Sequence, residues 1–421
     1  SVRTVRLDAP RGDILDREGR VLATTRPAYE LQVIPNGLHE PKTTFAALAQ
    51  LLETDSALLE ERVGVRRGAE RFQPVSLVDD LDFDRLAKLE THRYALPGVV
   101  TDVQPRRHYV EGAMAAHLMG LIGEIGEAQL EKRSREGYRS GDTIGQAGLE
   151  ALLESHLRGR SGGRNVVVDV AGREVEVLDE VAALPGGKVV LALDLDLQQE
   201  AEAAFLDVPE GEPAKMGAAV AMDVRTGDVL VMVSRPSYDP NAFAGGIDSE
   251  TWNALTDDEW EPLQNRAIQN HYPPGSIHKP ILAAALLADG IVTPATRVYC
   301  PGYFRHGRRT YRCWKRGGHG SVNVHEALKQ SCDVYFYTNG VKLGIDRIAH
   351  YAKSFGLGHR TGIRLANEAP GLIPSTDWKR RRFGVVWYPG ETVSASIGQG
   401  YNLYTPLQLA VAYAAVANGG K

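Results

Sequence analysis

The chain has 421 residues, which is more than one compact core usually takes, so two or more domains are expected. Hydrophobic residues make up 43% and charged residues 24%, as in an ordinary globular protein. A net charge of −5 gives no support to a nucleic-acid partner, and the longest apolar runs, such as Leu409–Ala417, fall far short of the roughly 18–20 residues that cross a bilayer.

In chain order, Arg11 to Gly19 followed by Val21-Leu22-Ala23 reads as strand, turn, strand. Residues 44–68 and 79–92 carry helical spacing, with Phe45, Leu48, Leu51 and Leu52 on one face and Leu81, Phe83, Leu86 and Leu89 on another. Gly145 to Glu150 leads into a further helix ending near Gly159, and Val166–Val168 with Val175–Val177 alternate as a hairpin does. The turn Leu184-Pro185-Gly186-Gly187 precedes Val189–Leu193, whose continuous apolar character predicts a buried strand, and the domain boundary is placed there, at 188/189. Beyond it come a helix around Leu197–Phe205 and a hairpin of Gly217–Val224 and Val229–Val233, turning at Arg225-Thr226-Gly227-Asp228. Helices flanking an antiparallel sheet, an α+β arrangement, are expected for this half.

Tyr272-Pro273-Pro274-Gly275 then marks a turn, and Ile281 onward is a strong helix former. Between them lie Ser276 and Lys279. On a helix, residues i and i+3 share a face about 5–6 Å apart at Cβ. Lys279 is thus expected to reach the Ser276 hydroxyl and take its proton, the usual remedy for a weak nucleophile. To act so, Lys279 must first shed its own proton, which burial or nearby positive charge would favour. An isolated Ser-x-x-Lys is as well read as a surface serine beside a solvated lysine.

The only three cysteines, Cys300, Cys313 and Cys332, bracket His319. Four sulfur and imidazole donors suit a structural Zn2+ with no open position. The alternatives are three inert thiols, or a disulfide, which would strand one cysteine and leave His319 unexplained.

Many short motifs follow one another along the chain. They are Arg11-Gly12-x-Ile14-x-Asp16-Arg17-x-Gly19, Arg107-His108-Tyr109, the residues Gly145, Gly148, Glu150 and Gly159, then Thr226-Gly227 and Pro236–Asn241. Asn265-Arg266-Ala267, Tyr272–Lys279, Gly318-His319-Gly320, Ser331-Cys332-Asp333, Gly344-Ile345-Asp346, Gly362-Ile363 and Gly398–Tyr401 follow. Through these the chain resembles, from Arg11 to its end, the class B penicillin-binding proteins, and among them the penicillin-binding protein 2 group that serves cell elongation.

The resemblance implies a β-lactamase/transpeptidase-like domain, 189–421, on an elongated N-terminal pedestal, 1–188, with a possible head lobe at 41–140. It implies a serine D-Ala-D-Ala transpeptidase that cross-links peptidoglycan stem peptides and is acylated by β-lactam antibiotics. Ser276 would be the nucleophile, Lys279 the general base, Ser331 the proton relay to the leaving amine, and Asp333 a partner of the lysine or of substrate. Asp333 stands where the wider family has Asn, a mark of the elongation subgroup; outside this context Ser331 and Asp333 would read as a helix cap. Some relatives carry acidic residues at the places of Cys300 and Cys313, which supports a metal at Cys300, Cys313, His319 and Cys332 that fixes the loop of the family's second motif, here Ser331-Cys332-Asp333. The implied setting is the periplasmic side of the inner membrane, through an N-terminal anchor that this chain does not show. The implied partners are a polytopic glycosyltransferase and rod-shape scaffold proteins. The first residue is not Met, so a leader or anchor is expected to have been removed.

The family's third motif, Lys-Thr-Gly, is not found; Arg360-Thr361-Gly362 is the nearest string and is misplaced. A molecule truly ending at Lys421 would lack a second oxyanion donor, at a cost of about 2.7–4 kcal/mol, and is expected to be impaired. A non-catalytic penicillin sensor or scaffold is the rival reading, and a β-lactamase a third. His278 is expected to be structural, and Trp314, Trp378, Trp387 and Tyr388 either line a groove or pack. Gly398-Gln399-Gly400 is expected to serve backbone shape. Arg11, Asp16 and Arg17 are expected to form a polar network joining the two halves.

Overall fold

The computed structural model describes residues 2–66, 68–168, 174–209, 211–212 and 215–420. The chain forms two compact units, Ser1–Leu191 with Asp239–Asn253, and Ala192–Tyr238 with Ala254–Lys421. The α+β class is borne out. The single cut expected at 188/189 misses Asp239–Asn253, which returns to the first unit, where the Asn241 side chain brackets the Tyr109 backbone by accepting from its N–H and donating to its carbonyl.

In the first unit, Val2–Leu7, Gly162–Val168 and Glu174–Val181 form an antiparallel sheet; residues 169–173 lie outside the described ones. A second sheet is built on the long strand Val21–Val33, which pairs antiparallel with Val99–Tyr109 from Ala23 opposite Tyr109 to Val33 opposite Val99. The helical spacing of 44–68 resolves into Pro41–Leu52 and Ser56–Val63, the latter capped by Asp55, whose carboxylate accepts from the Ala57 N–H. That of 79–92 resolves into the strand Val75–Leu81 and the helix Phe83–Thr91. Phe45, Leu48, Leu52, Leu59, Leu77, Leu81 and Leu89 meet in one core.

Val189–Leu193 is not the buried strand expected. Only Val189–Val190 is extended, pairing in parallel with Ile14–Leu15, and Val190 is 64% exposed. An apolar run is ambiguous without knowledge of what covers it. The network of Arg11 and Asp16 also differs from expectation, because their partners lie within the first unit. Arg11 pairs with Glu150 and Glu154, Arg107 Nε donates to Glu150 at 2.7 Å, and Asp16 pairs with Arg20.

In the second unit, Gly217–Met222 and Val229–Arg235 form the expected antiparallel hairpin. Helix Leu195–Leu206 packs on Val229–Arg235, where the buried Gln198 amide accepts from the Met232 N–H and donates to its carbonyl. Helix Pro406–Ala417 packs on Gly217–Met222. A core of Leu282, Leu286, Tyr335, Phe336 and Val393 joins the helices Lys279–Ala288, Asp333–Leu343 and Pro389–Ala395. Burial of such side chains contributes on the order of 1.5–3 kcal/mol each, and it sets the helix positions on which the site depends. Among the described residues no helix is long and apolar enough to cross a membrane.

Candidate active site and four-donor cluster

Ser276 sits in a single 3-10 turn, Gly275–His278, that runs into the helix Lys279–Ala288. Pro273, Pro274 and Gly275, with Gly275 at φ 59°, turn the chain into it, and the serine is left exposed. The turn rests on Gly398, whose carbonyl accepts from the Gly275 N–H at 3.0 Å. A Cβ on Gly398, at φ +71°, would lie 2.4 Å from the Gly275 carbonyl oxygen, so this glycine serves close approach. Behind the turn His278 is fully buried, with Nδ1 3.4 Å from the Tyr404 hydroxyl. Burial lowers its pKa to about 4, leaving a neutral, structural imidazole.

Lys279 is only 1% exposed. Its ammonium donates to Asp333 Oδ1 at 2.6 Å and to both the carbonyl and Oγ of Ser331 at 3.0 Å. Ser331 Oγ in turn donates to Ser276 Oγ at 3.0 Å. The four sequence-derived residues therefore meet, but in a different order from that expected. Ser331 stands between the nucleophile and the lysine, with its Oγ 3.0 Å from both Ser276 Oγ and Lys279 Nζ. The group against Lys279 is the Asp333 carboxylate, the partner of the lysine that the resemblance implies.

Ser331 has φ 52°, a left-handed conformation that a residue other than glycine adopts at a cost of roughly 1–3 kcal/mol. Two donors hold its carbonyl in that pose, Lys279 Nζ and the Trp314 indole N–H at 3.1 Å. The Trp314 backbone N–H also donates to Asp333 Oδ2 at 3.1 Å. This role was missed in the sequence. Its one signal was that Trp314 directly follows Cys313; its partners lie up to 19 residues away. The other aromatics pack together: Tyr401 lies 4.9 Å from Trp378 and 6.3 Å from Trp387, ring to ring. Tyr388 is over half exposed. Arg360-Thr361-Gly362 is held by Glu368, whose carboxylate accepts from the Thr361 N–H and hydroxyl.

Cys300, Cys313, His319 and Cys332 converge, their donor atoms all within 4.8 Å of one another. Strand Val298–Cys300 pairs with Gly320–Val322, which brings the first cysteine beside the histidine. Cys300 Sγ and Cys313 Sγ each lie 3.6 Å from His319 Nδ1. Tetrahedral zinc, with bonds of about 2.0–2.3 Å, has donor–donor edges of about 3.5–3.8 Å, so the cluster fits. Burial and then the neighbouring sulfurs push the Cys332 thiol up to about 12, and burial lowers His319, which leaves the imidazole neutral as a ligand must be. Thiols in so dry a place shed their protons only to a bound cation, which is how metal binding couples to their ionisation. The cysteines are not joined in a disulfide.

Residues 6–191 match the penicillin-binding protein dimerisation domain and residues 217–421 the penicillin-binding protein transpeptidase domain. Over its whole length the chain is 36% identical to peptidoglycan D,D-transpeptidase MrdA of Escherichia coli (strain K12), of which it spans 66%, just under two thirds. Among solved structures it is similar to the penicillin-binding protein 2–MreC complex from Helicobacter pylori, at TM-score 0.84 and 28% identity, covering 100% of this chain and 77% of that one. It is also similar to Pseudomonas aeruginosa penicillin-binding protein 2 in complex with WCK 5153, at TM-score 0.72 and 33% identity, covering 100% and 71%. The chain belongs to the penicillin-binding protein 2 family.

Proposed function

We propose that this chain carries the acyl-transfer machinery of a peptidoglycan D,D-transpeptidase, as its relatives' names say of them. The observation that carries the reading is the line from Ser276 Oγ to Ser331 Oγ to Lys279 Nζ, each step 3.0 Å, ending on Asp333. Ser276 Oγ attacks the carbonyl between the last two D-alanines of a stem peptide. Once Lys279 has given its own proton to Asp333, the Ser276 proton passes to Ser331 Oγ and the Ser331 proton to the neutral Lys279 amine. The Ser276 N–H is one candidate donor to the oxyanion. Collapse breaks the C–N bond, and the proton returns along the same line to the departing D-alanine amine. An amine of a neighbouring stem then attacks the ester, a new amide forms, and Ser276 Oγ recovers a proton.

Cys300, Cys313, His319 and Cys332 are proposed to hold Zn2+, which with four protein ligands supplies a fixed cross-link in the fold. Because Cys332 lies between Ser331 and Asp333, and Trp314 follows Cys313, the cluster positions the groups that hold Lys279. β-Lactams acylate the same serine in this reading. Relatives were solved with MreC and in a peptidoglycan synthase complex that coordinates polymerization and crosslinking. By family membership, a scaffold protein and a glycosyltransferase are proposed as partners here, on the periplasmic side of the inner membrane.

The test uses the natural full-length protein incubated with a labelled penicillin, followed by peptide mass mapping. The expected adduct is on Ser276 and absent from Ser276→Ala. An adduct without D-alanine release from stem-peptide substrate would indicate a sensor, and fast drug hydrolysis a β-lactamase. No adduct would end the acyl-transfer reading.

A further inference from the structure

In the same unit as Ser276 a cavity of about 600 Å3 opens, lined by His306, Arg309, Tyr311, Tyr388, Glu391 and Tyr401 among others. Both of its walls run on along the chain to segments that hold the catalytic residues. One wall is the hairpin Tyr303–His306 and Arg309–Arg312, whose chain runs on through Cys313 to Trp314, the donor to Asp333. The other runs from Tyr388 through the helix Pro389–Ala395 to the turn at Gly398 beneath Ser276. The Tyr311 hydroxyl donates to the Gly390 carbonyl at 3.0 Å and joins the two walls.

The charge of this region opposes that of the molecule. In a chain of net charge −5, residues 303–318 contain no Asp or Glu, yet they include Arg305, Arg308, Arg309 and Arg312, all exposed. Among the described residues none of these four arginines has an ion pair, whereas the Glu391 carboxylate on the opposite wall is neutralised by the buried Lys379. Lys379 in turn lies 4.7 Å from the centre of the Tyr388 ring. The result is a cleft with aromatic sides and an unopposed guanidinium at its rim. Guanidinium pairs with carboxylate in charge-assisted, geometrically specific hydrogen bonds.

We propose that this cleft is the acceptor subsite, and that Arg309 and Tyr388 seat the incoming stem peptide by a free carboxylate so that its amine reaches the ester on Ser276. The proposal rests on the transferase reading above. An acceptor stem is a peptide with at least a C-terminal carboxylate, and it must enter beside the acyl-enzyme without displacing the donor. A cationic cleft whose two walls adjoin, along the chain, the Trp314 and Gly398 supports of the site meets that need. In the transfer step the amine nitrogen forms a bond to the acyl carbon, the bond to Ser276 Oγ breaks, and the amine proton passes to Oγ through Ser331. Arg309 binds and orients, and takes no part in proton movement.

The experiment uses the full-length protein, a donor ending in D-Ala-D-Ala, and a stem-peptide acceptor with a free side-chain amine. A second acceptor has its carboxylates amidated. The acceptor KM and the ratio of transfer to hydrolysis are read for the natural protein, Arg309→Ala, Arg309→Lys and Tyr388→Ala, with Ser276 acylation by labelled penicillin measured in the same samples. Arg309→Ala is expected to raise the acceptor KM about tenfold, the loss of one charge-assisted contact, and to turn the acyl-enzyme toward water. Arg309→Lys should recover part of this. The amidated acceptor should serve the natural protein as poorly as the ordinary one serves Arg309→Ala. An acceptor KM indifferent to Arg309 and to amidation overturns the subsite, and so does a fall in transfer matched by an equal fall in acylation. If the natural protein forms no penicillin adduct, the transferase reading fails and the subsite falls with it; an adduct with normal, insensitive transfer removes the subsite alone.

Discussion

Asp333 shows how much a single side chain holds. One carboxylate oxygen takes the Lys279 ammonium and the other the Trp314 N–H, on a carboxylate placed at the first position of a helix, where the dipole favours it. Asp333→Asn keeps the shape and removes the charge, leaving a buried ammonium without its counter-ion, which costs about 3–5 kcal/mol when a buried pair is broken. Penicillin acylation is expected to fall by at least about a hundredfold, measured by single-turnover labelling; a rate within about threefold of the natural protein would show that the ion pair is dispensable. Trp314→Phe tests the indole alone, because the backbone N–H remains. The loss of one hydrogen bond to the strained Ser331 carbonyl, about 1 kcal/mol, should slow acylation several-fold with little change in melting temperature. Sequence pattern made Ser276, Lys279, Ser331 and Asp333 legible as a set. It could not show Ser331 between the first two, since Lys279 and Ser331 are 52 residues apart and only packing fixes their distance.

At the scale of elements, the segment from Cys300 to Cys332 gathers four donor atoms within 4.8 Å of one another, and the first unit buries ion pairs of Arg11 and Arg107 with Glu150. Metal analysis is expected to find one zinc per chain. Stripping it with a chelator should slow Ser276 acylation, because the Trp314 and Ser331 segments lose their common anchor; equal rates in a demonstrably metal-free sample would remove the coupling. In the first unit, burial raises the Glu154 carboxyl, but Arg11, the Tyr138 hydroxyl and the Gly145 N–H together hold it below the usual carboxylate range. A group lowered in this way stabilises the fold above its unfolded pKa, about 4.3, and the contribution is lost as pH falls through the lower folded value. The urea midpoint should therefore drop between about pH 5 and pH 3, and less so in Glu154→Gln; parallel curves for the two proteins would show another group responsible. The cysteine and histidine spacing was readable because ligands are chemically distinctive. The arginine-rich hairpin beside them was readable only as charge, since nothing in its sequence says that it walls a cleft.

For the whole molecule, the chain does not divide at a single point. Asp239–Asn253 leaves the second unit's sequence to pack with the first, through contacts such as Asn241 with Tyr109. A fragment of residues 192–421 should therefore carry 239–253 without its packing partners, and limited proteolysis should cut it there faster than it cuts the full chain. Equal protection in both would show that the segment is ordered by the second unit. The boundary near 188 was visible as a Pro-Gly-Gly turn, whereas the return was not, because a segment's partner is decided by surfaces that form only after folding.

The order of residues by itself determined the chemistry: a serine and a lysine at one helix turn's spacing, a Ser-x-Asp loop, and four soft donors. These are local or chemically conspicuous features, written in neighbouring letters. Tertiary structure alone decided that Ser331 would bridge Ser276 and Lys279, that Trp314 would hold both second-motif residues, that Gly398 would lie under the nucleophile, and that an arginine hairpin would face Tyr388. Each of these joins segments far apart in the chain, and burial of the helices between them sets the distances.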